Sequence, residues 1–427
     1  MDDQSALMET TRPVTKFGIF CWALFDWAHN AFPTVIITFV FSTYFTRAIA
    51  HNEIQGTADW GWTIAVSGIV VAILAPFLGS ISDHTGRRKP WIAFFMLVSV
   101  FFTAMLWFAT PSTDNIVMAL AFVAIANAAY EFTQIFYNSM MVSIAPPKMI
   151  GRISGWGWGM GYFGGLVCLI IALVVFIEPK WLGSANGLDV RATTLFVAGW
   201  FIVFSIPIFL YTPDIHKTNK GILTACKDGL IELGTTFKEI KNYKKVFLFL
   251  LAHLLYTDGL NSIFVFAGVF AAGAFHMTYS QILIFAIVLN ITAGIGACAF
   301  AFVDDKVGPK FTVCISIIAI VILGIVAVSI TSITWFWVVG ALLGIFVGPT
   351  QAASRSYMAR IAPRHLLNQM FGIYQLSGNI TAFIGPILVA AFTEMYQSQR
   401  VGLSAALGLM FIGLILLLFV PKPQKYK

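Results

Sequence analysis

Twelve apolar runs divide this chain, at roughly 17–47, 60–82, 91–110, 115–143, 151–178, 192–211, 247–274, 279–303, 311–331, 333–357, 369–396 and 401–420. Most exceed the roughly 20 residues a helix needs to cross the hydrocarbon of a bilayer. Hydrophobic residues make up 59% of the 427 and charged residues 11%, and the mean hydropathy is +0.84. No soluble domain of this size tolerates such a surface. The expected fold is therefore an all-α polytopic membrane protein with twelve transmembrane helices, embedded in a lipid bilayer. The formal charge of +7 would hint at nucleic acid in a soluble chain; here its distribution over the loops matters more, and no nucleic-acid partner is expected.

An even number of spans puts both termini on one side. Assigning the termini and the even-to-odd loops to that side collects all of the Lys and Arg residues except Arg47, Lys180, Arg191 and Arg400. By the positive-inside rule the termini face the cytoplasm. The opening segment, Met1 to Lys16, is polar and acidic without a basic n-region or cleavage site, so the first span is expected to be retained. The five cysteines, Cys21, Cys168, Cys226, Cys298 and Cys314, are far apart and form no CxxC. They read as apolar fillers; neither a disulfide frame, nor a metal site, nor a cofactor is expected.

The chain carries an internal repeat. Gly79-Ser-Ile-Ser-Asp83-His84-Thr-Gly86-Arg87-Arg88-Lys89 lies between the second and third runs, and a worn copy, Ala301-Phe-Val-Asp304-Asp305-Lys306-Val307-Gly308-Pro309-Lys310, lies between the eighth and ninth. Asp83 offers a polar partner at a helix end, Gly86 permits a tight turn, and three cations follow. A second pair matches Asn138 to Pro146 with Arg355 to Pro363, and Gly155 with Gly372. Phe25-Asp26-Trp-Ala-His29-Asn30 has a looser echo in Thr257-Asp258-Gly-Leu-Asn261. Two six-helix halves follow, at 17–211 and 247–420, with a cytoplasmic N-terminal segment at 1–16, a linker at 212–246 and a tail at 421–427. Within the linker Ile222, Cys226, Leu230, Leu233, Phe237 and Ile240 recur at helical steps opposite Lys220, Lys227, Lys238 and Lys241, which predicts an amphipathic helix on the inner leaflet.

The spacing G-x-x-x-D-x-x-G-R-R-K resembles the signature loop between helices 2 and 3 of the major facilitator superfamily of secondary transporters. A closer resemblance rests on Trp22-Ala-Leu-Phe-Asp26-Trp-Ala-His29-Asn30, Phe136-Tyr-Asn-Ser139, Ile144-Ala-Pro-Pro147, Gly151-Arg-Ile-Ser-Gly155, Tyr256-Thr-Asp258-Gly-Leu-Asn261, Ser354-Arg-Ser356 and Ser377-Gly378. Together these are similar to the branch containing the vacuolar amino-acid effluxers linked to autophagy and their bacterial relatives. The chain is nearer in length to the bacterial members. The resemblance implies a twelve-helix carrier in a bacterial cytoplasmic membrane, with helices 1, 4, 7 and 10 lining a central cavity. It also implies that Asp83, Arg87 and Arg88 form a cytoplasmic gate that latches in one state and releases in the other, and the gate is expected to include Gly86 of the same loop and Asp305 of the second copy; Arg152, beside the first Ala-Pro turn, is a further ion-pair candidate there or an ordinary positive-inside residue. His84 stands where the family has Arg or Lys, and Pro309 replaces a basic residue, which suggests a less symmetric latch. Arg355, beside the second Ala-Pro turn, reads as an ordinary positive-inside residue or a further ion-pair candidate.

Three acids lie inside spans rather than loops. Asp26, Glu131 and Asp258 come roughly 14, 18 and 17 Å from the cytoplasmic end at 1.5 Å per residue, near the middle of a roughly 30 Å core. A charge there costs on the order of 2.5–3.5 kcal/mol unless it faces water or a partner. Asp26, Asn30, Thr34 and Thr38 follow steps of four, and Asn127, Glu131, Gln134 and Asn138 steps of four, three and four, so each set predicts a polar stripe on an apolar helix. Asn261 joins Asp258, and Gln351 and Asn379 come from the tenth and eleventh runs. These groups suit a small polar solute; the competing reading has them holding helices together. A carboxylate that alternates between dry and wet surroundings can load and release a proton, and His29 and His253 could join such a relay.

Other motifs fail on context. Gly159-Met-Gly161-Tyr-Phe-Gly164 matches GxGxxG but lies in a span and follows no strand; Gly157, Gly161 and Gly165 instead make a ridge for close helix contact. No Gly-Lys dipeptide occurs, which removes the usual phosphate-binding loop. The sequence therefore reads as a secondary transporter, not an enzyme, working as a monomer and moving an amino acid or similar small polar metabolite outward, with proton coupling. Its alternatives are a carrier for a sugar, nucleoside or drug, or a receptor or assembly factor on the same fold.

Overall fold

The computed structural model describes residues 10–51, 53–177, 185–216, 243–275, 277, 279–363, 366–379, 384–396 and 398–421. They are helical nearly throughout: α1 (Lys16–Ile49), α2 (Glu53–Thr85), α3 (Lys89–Phe108), α4 (Ile116–Ile144), α5 (Ile150–Ile177), α6 (Leu188–Tyr211), α7 (Lys244–Phe275), α8 (Tyr279–Val307), α9 (Pro309–Ser329), α10 (Ile333–Ile361), α11 (Leu367–Asn379), α12 (Ile384–Tyr396) and α13 (Gln399–Phe419). Ten helices are long and apolar enough to cross a membrane; α2 and α12 carry shorter apolar stretches, Trp62–Ala75 and Ile384–Thr393. The all-helical membrane architecture is as expected, with ten spans meeting the length criterion among the described residues. The amphipathic helix expected within 212–246 falls largely on residues outside that description.

Local chemistry sets the helix ends. Thr15 Oγ1 accepts from Gly18 N at 3.0 Å to cap α1. Pro90 and Pro309 open α3 and α9, where a missing N–H costs nothing. Gly86 and Gly308, in the two signature copies, take φ of 83° and 112°, a region open to glycine and strained for other residues. Within α1, Pro33 removes a ladder donor, and the helix widens to π geometry over Phe32–Phe39. Thr38 Oγ1 there donates to Pro33 O at 2.9 Å.

The surface is reversed relative to a soluble protein. Along α3, Phe94, Leu97 and Phe101 are 58%, 55% and 56% exposed, while Ser99 and Thr103 are buried on the other face. Lipid tails accept the aromatic face, so the small polar side chains turn inward to find partners.

Two compact units share the chain. The first takes residues 1–74, 86–144 and 160–218, the second 75–85, 145–159 and 219–427. In the first, α1 packs on α6 and α3 on α4; in the second, α7 packs on α13 and α9 on α10. These are the same pairings shifted by six spans.

The glycines of α5 have two jobs. Within the first unit, a Cβ at Gly161 would meet Asn30, at Gly164 the backbone of Trp27, and at Gly165 Thr34 and Asn30, so these three seat α1. Within the second, Gly155 and Gly159 receive Ala301 and Cys298 of α8. Of the predicted ridge, Gly161 and Gly165 make this close approach to α1, and Gly164 joins them. Because backbone cannot move aside like a flexible side chain, Gly164→Val should destabilise the protein by about 1–3 kcal/mol. Thermal unfolding in detergent checks this, with Gly199→Val as the control, since nothing lies within 4 Å of a Cβ there.

Candidate functional site

The first unit gathers one polar cluster on α1 and α4. Tyr137 Oη donates to Asp26 Oδ2 at 2.8 Å, and its ring stacks on Trp22 at 4.4 Å and 6°. Trp22 Nε1 donates in turn to Tyr137 O at 3.2 Å. Asp26 is 2% exposed, so a bare carboxylate would be costly there; the tyrosine hydroxyl, fixed by the indole, offsets part of that cost. The four-residue steps along α1 place Asn30 one turn on, where Nδ2 donates to Asp26 O at 3.3 Å. Thr34 Oγ1 donates to Asn30 O at 2.8 Å.

His29 stacks on Tyr130 at 3.8 Å. Its Nε2 lies 3.2 Å from Tyr130 O, an acceptor only, so Nε2 carries the proton and donates; Nδ1 then accepts from Gln134 Nε2 at 3.1 Å. Both ring nitrogens are committed to neutral partners, an arrangement that suits packing better than a relay. Gln134 Oε1 is buried and has no hydrogen-bond partner among the described residues.

The α4 stripe divides. Asn127 turns to α2 and donates to Ser67 Oγ at 2.8 Å, while Gln134 turns to α1. Glu131 is half-buried and Asn138 is buried, and both are engaged by neighbours. A helical stripe about 100° wide reaches two neighbouring helices, so its members need not share one site.

In the second unit Asp258 is 1% exposed and its Oδ2 accepts from Gly385 N, in the first turn of α12, at 2.8 Å. Its Oδ1 is buried with no hydrogen-bond partner among the described residues. Asp26 and Asp258 are therefore both hydrogen-bonded within their own unit. Asn261 and Gln351 are half-buried; the side chain of Asn379 is outside the described residues. Nearby on α7, His253 donates from Nδ1 to Ser377 Oγ at 2.8 Å, because that hydroxyl donates to Tyr374 O. Tyr374 lies 4.2 Å from the His253 ring, and Tyr256 Oη meets Ser354 Oγ of α10 at 2.7 Å.

The signature copies behave differently from one another. Asp305 receives Gly151 N at 2.9 Å, Arg152 N at 3.1 Å and Arg152 Nε at 3.0 Å, so it caps the start of α5. Arg360 Nη2 bridges Asp304 and Asp305 at 3.2 Å each. In the first copy Arg87 is exposed, Arg88 is buried with Nη1 on Ser143 Oγ, and the side chain of Asp83 is outside the described residues.

Sequence reasoning passed over several of these residues. Arg360 and Asp304 complete the acid–arginine network; the repeat itself held the signal, since Arg360 stands in the second copy where Ser143 stands in the first. Arg355 is not a solvated loop cation: it is 2% exposed, donates from Nε to Ser154 Oγ at 2.8 Å and lies 5.7 Å above the Trp158 ring. Lys89 and Lys310 perform one shared task. Their Nζ atoms donate to carbonyls ending the last helix of each half, Phe209 O at 2.8 Å and Leu418 O at 2.8 Å.

Tyr137→Phe removes the neutral donor to Asp26 while keeping the stacked ring. The expected loss is about 1–3 kcal/mol, the range for leaving a buried acceptor short of a bond. Thermal unfolding checks it, and Asp26→Asn combined with Tyr137→Phe should cost less than the two single changes added together.

Comparison with known proteins places this geometry in a family. The family described as "Vacuole effluxer Atg22 like" matches residues 143–427, and "Major Facilitator Superfamily" matches residues 7–169. The uncharacterized MFS-type transporter YxiO of Bacillus subtilis is 30% identical over 417 residues, 94% of each chain. Autophagy-related protein 22 of Kluyveromyces lactis is 21% identical over 395 residues, 83% of this chain and 77% of that one. Autophagy-related protein 22-1 of Penicillium rubens is 22% identical over 303 residues, 65% of this chain and 48% of its own length. Among solved structures, the proton:xylose symporter XylE aligns with a TM-score of 0.71 at 11% identity over 100% and 98% of the two chains. FucP in the outward conformation aligns at 0.71 and 12% identity over 96% and 99%. At such identities these two establish the fold alone.

Proposed function

The chain belongs to the Atg22-like vacuole effluxer family of the major facilitator superfamily, and from that premise we propose that it exports a small polar solute, an amino acid or close relative, by proton-coupled alternating access. That it is a membrane transporter and not an enzyme follows from the family itself. The finer reading is supported above all by the polar interior of α1, α4 and α7, where Asp26, Glu131 and Asp258 sit in otherwise apolar spans. The efflux direction rests on the family's description, and the amino-acid class on the motifs shared with its effluxers.

In this reading Asp26, Asn30, Glu131, Gln134, Asn138, Asp258, Asn261, Gln351 and Asn379 line the solute and proton path. The halves 17–211 and 247–420 move about it, joined by the linker at 212–246. The Lys/Arg distribution argues for cytoplasmic termini, with the signature loops then on the inner face of a bacterial cytoplasmic membrane and the monomer as the working unit. Asp83, Gly86, Arg87, Arg88, Asp305 and Arg152 form the gate there. Asp305 holds α5 through three charge-assisted hydrogen bonds to Gly151 and Arg152, and takes a fourth from Arg360. Charged hydrogen bonds contribute roughly 1.5–3 kcal/mol each at most, so release of this cap costs on the order of several kcal/mol. Differential solute or proton binding of a similar size has to offset it.

Two measurements test the proposal. A panel of amino acids, sugars and nucleosides is added to the purified protein; stabilisation confined to amino acids is expected, and stabilisation by another class alone would reassign the substrate. Glu131→Gln, reconstituted in proteoliposomes with the stabilising solute, should lose flux driven by a pH gradient while keeping its folded yield and solute-induced shift. Unchanged gradient-driven flux would remove Glu131 from the proton path.

A further inference from the structure

The two halves treat their buried histidines differently. In the first, His29 is fully enclosed and both ring nitrogens are bonded, one to Tyr130 O and one to Gln134. In the second, His253 is 5% exposed and only Nδ1 is bonded, to Ser377 Oγ at 2.8 Å. The Ser377 hydroxyl already donates to Tyr374 O at 2.7 Å, so the proton of the His253–Ser377 bond belongs to Nδ1. In the neutral ring that leaves a lone pair on Nε2, which has no hydrogen-bond partner among the described residues. The described neighbours of the ring are aromatic rings and a hydroxyl, with no carboxylate among them to hold a second proton.

The surroundings leave room on one side. The centroids of Tyr374, Tyr256 and Phe249 lie 4.2, 5.3 and 5.8 Å from that of the imidazole. The edge carrying Cε1, the carbon between the two nitrogens, faces Gly378. A Cβ built on that glycine would meet Cε1 at 3.7 Å and no other described atom within 4 Å. Ser377 and Gly378, adjacent in the sequence, thus act together: one fixes the tautomer and the other keeps the ring edge clear. His253 stands about 14 Å along α7 from Lys244 at 1.5 Å per residue, near the middle of a roughly 30 Å core. An acceptor at that depth is costly to leave without a donor, and in the empty carrier water can supply one.

We propose that His253 is a solute-contact residue of the second half: its Nε2 accepts a hydrogen bond from an ammonium group of the solute, and Ser377 is the positioning residue that turns the lone pair outward. A charged donor bonds a neutral acceptor more strongly than a hydroxyl does, and aromatic faces attract a cation. An anionic group would meet the lone pair and find no proton there. The inference rests on the amino-acid reading above and names the residue that separates an amine from its hydroxyl analogue.

Diethylpyrocarbonate acylates an imidazole nitrogen that bears a lone pair and can be reached from solvent. Peptide mapping of the purified parent should find His253 modified, with exposed His51 as the reference and enclosed His29 untouched. Gly378→Ala, which fills the open edge at ordinary contact distance, should slow that reaction with no solute present. A near-saturating mixture of the standard amino acids should slow modification of His253 relative to His51 by about tenfold, and a mixture of the corresponding 2-hydroxy acids should not. His253→Phe should raise the apparent Kd of the amino-acid mixture, read by thermal shift, by about tenfold or more, and His253→Gln, whose amide oxygen reaches the place of Nε2, by less. An unreactive His253, or one whose modification is unchanged by amino acids that raise the Tm, would overturn the proposal and leave the amino-acid reading standing. Equal protection by the two mixtures would overturn the ammonium assignment. If the amino acids neither raise the Tm nor protect, the amino-acid reading falls and the role of His253 with it.

Discussion

A carboxylate buried among membrane helices has no water to satisfy it, and the donors it finds decide which helix ends meet. Asp305 shows the principle. Its position one turn from the end of α8 brings it to the first amides of α5, where unbonded N–H groups carry the positive end of the helix dipole. Asp258 does the same for the first turn of α12, and Asp214, half-buried just past the end of α6, bonds the opening amides of α3. Each contact joins a carboxylate to helix-start amides that have no partner within their own helix, and for the buried acids it offsets part of the cost of burial.

Cations complete the scheme at the opposite polarity. Lys89 and Lys310 reach terminal carbonyls of α6 and α13, and Arg400 donates to Val328 O and Ile330 O at the end of α9. Side chains counted in the sequence as loop charges thus act as caps, each in contact with one or two helix ends. Glycine supplies the remaining close approaches: α5 touches α1 through Gly161, Gly164 and Gly165 because no side chain stands between them. The resulting interfaces combine short-range polar bonds with backbone proximity, in a setting where apolar surface gains nothing by turning inward.

Much of this was legible in the linear chain for a plain reason: span length, loop charge and repeat spacing depend on the bilayer and on the local chain, both fixed before packing. The apolar runs fall on helices, and Gly86 and Gly308 take the positive φ expected of tight turns. Side-chain partners depend on helix rotation and were less legible. Along α4 the regular spacing of Asn127, Gln134 and Asn138 suggested one face, yet Asn127 turned to Ser67 and Gln134 to His29. Periodicity places residues around an axis but does not say which helix lies opposite. For the same reason Arg355 read as a loop cation although it is buried against Ser154 and Trp158.

By itself the sequence determined a duplicated helical membrane carrier and the places where acids enter its spans, because hydropathy, charge bias and internal repetition are properties of the chain in one dimension. Only the tertiary structure decided that Asp26 is met by Tyr137, that His29 is held between Tyr130 and Gln134, and that Asp214 reaches back to the signature loop. Those pairings join residues more than a hundred positions apart. They arise from the requirement that every polar group withdrawn from water find a partner at bonding distance, which no spacing along the chain can specify.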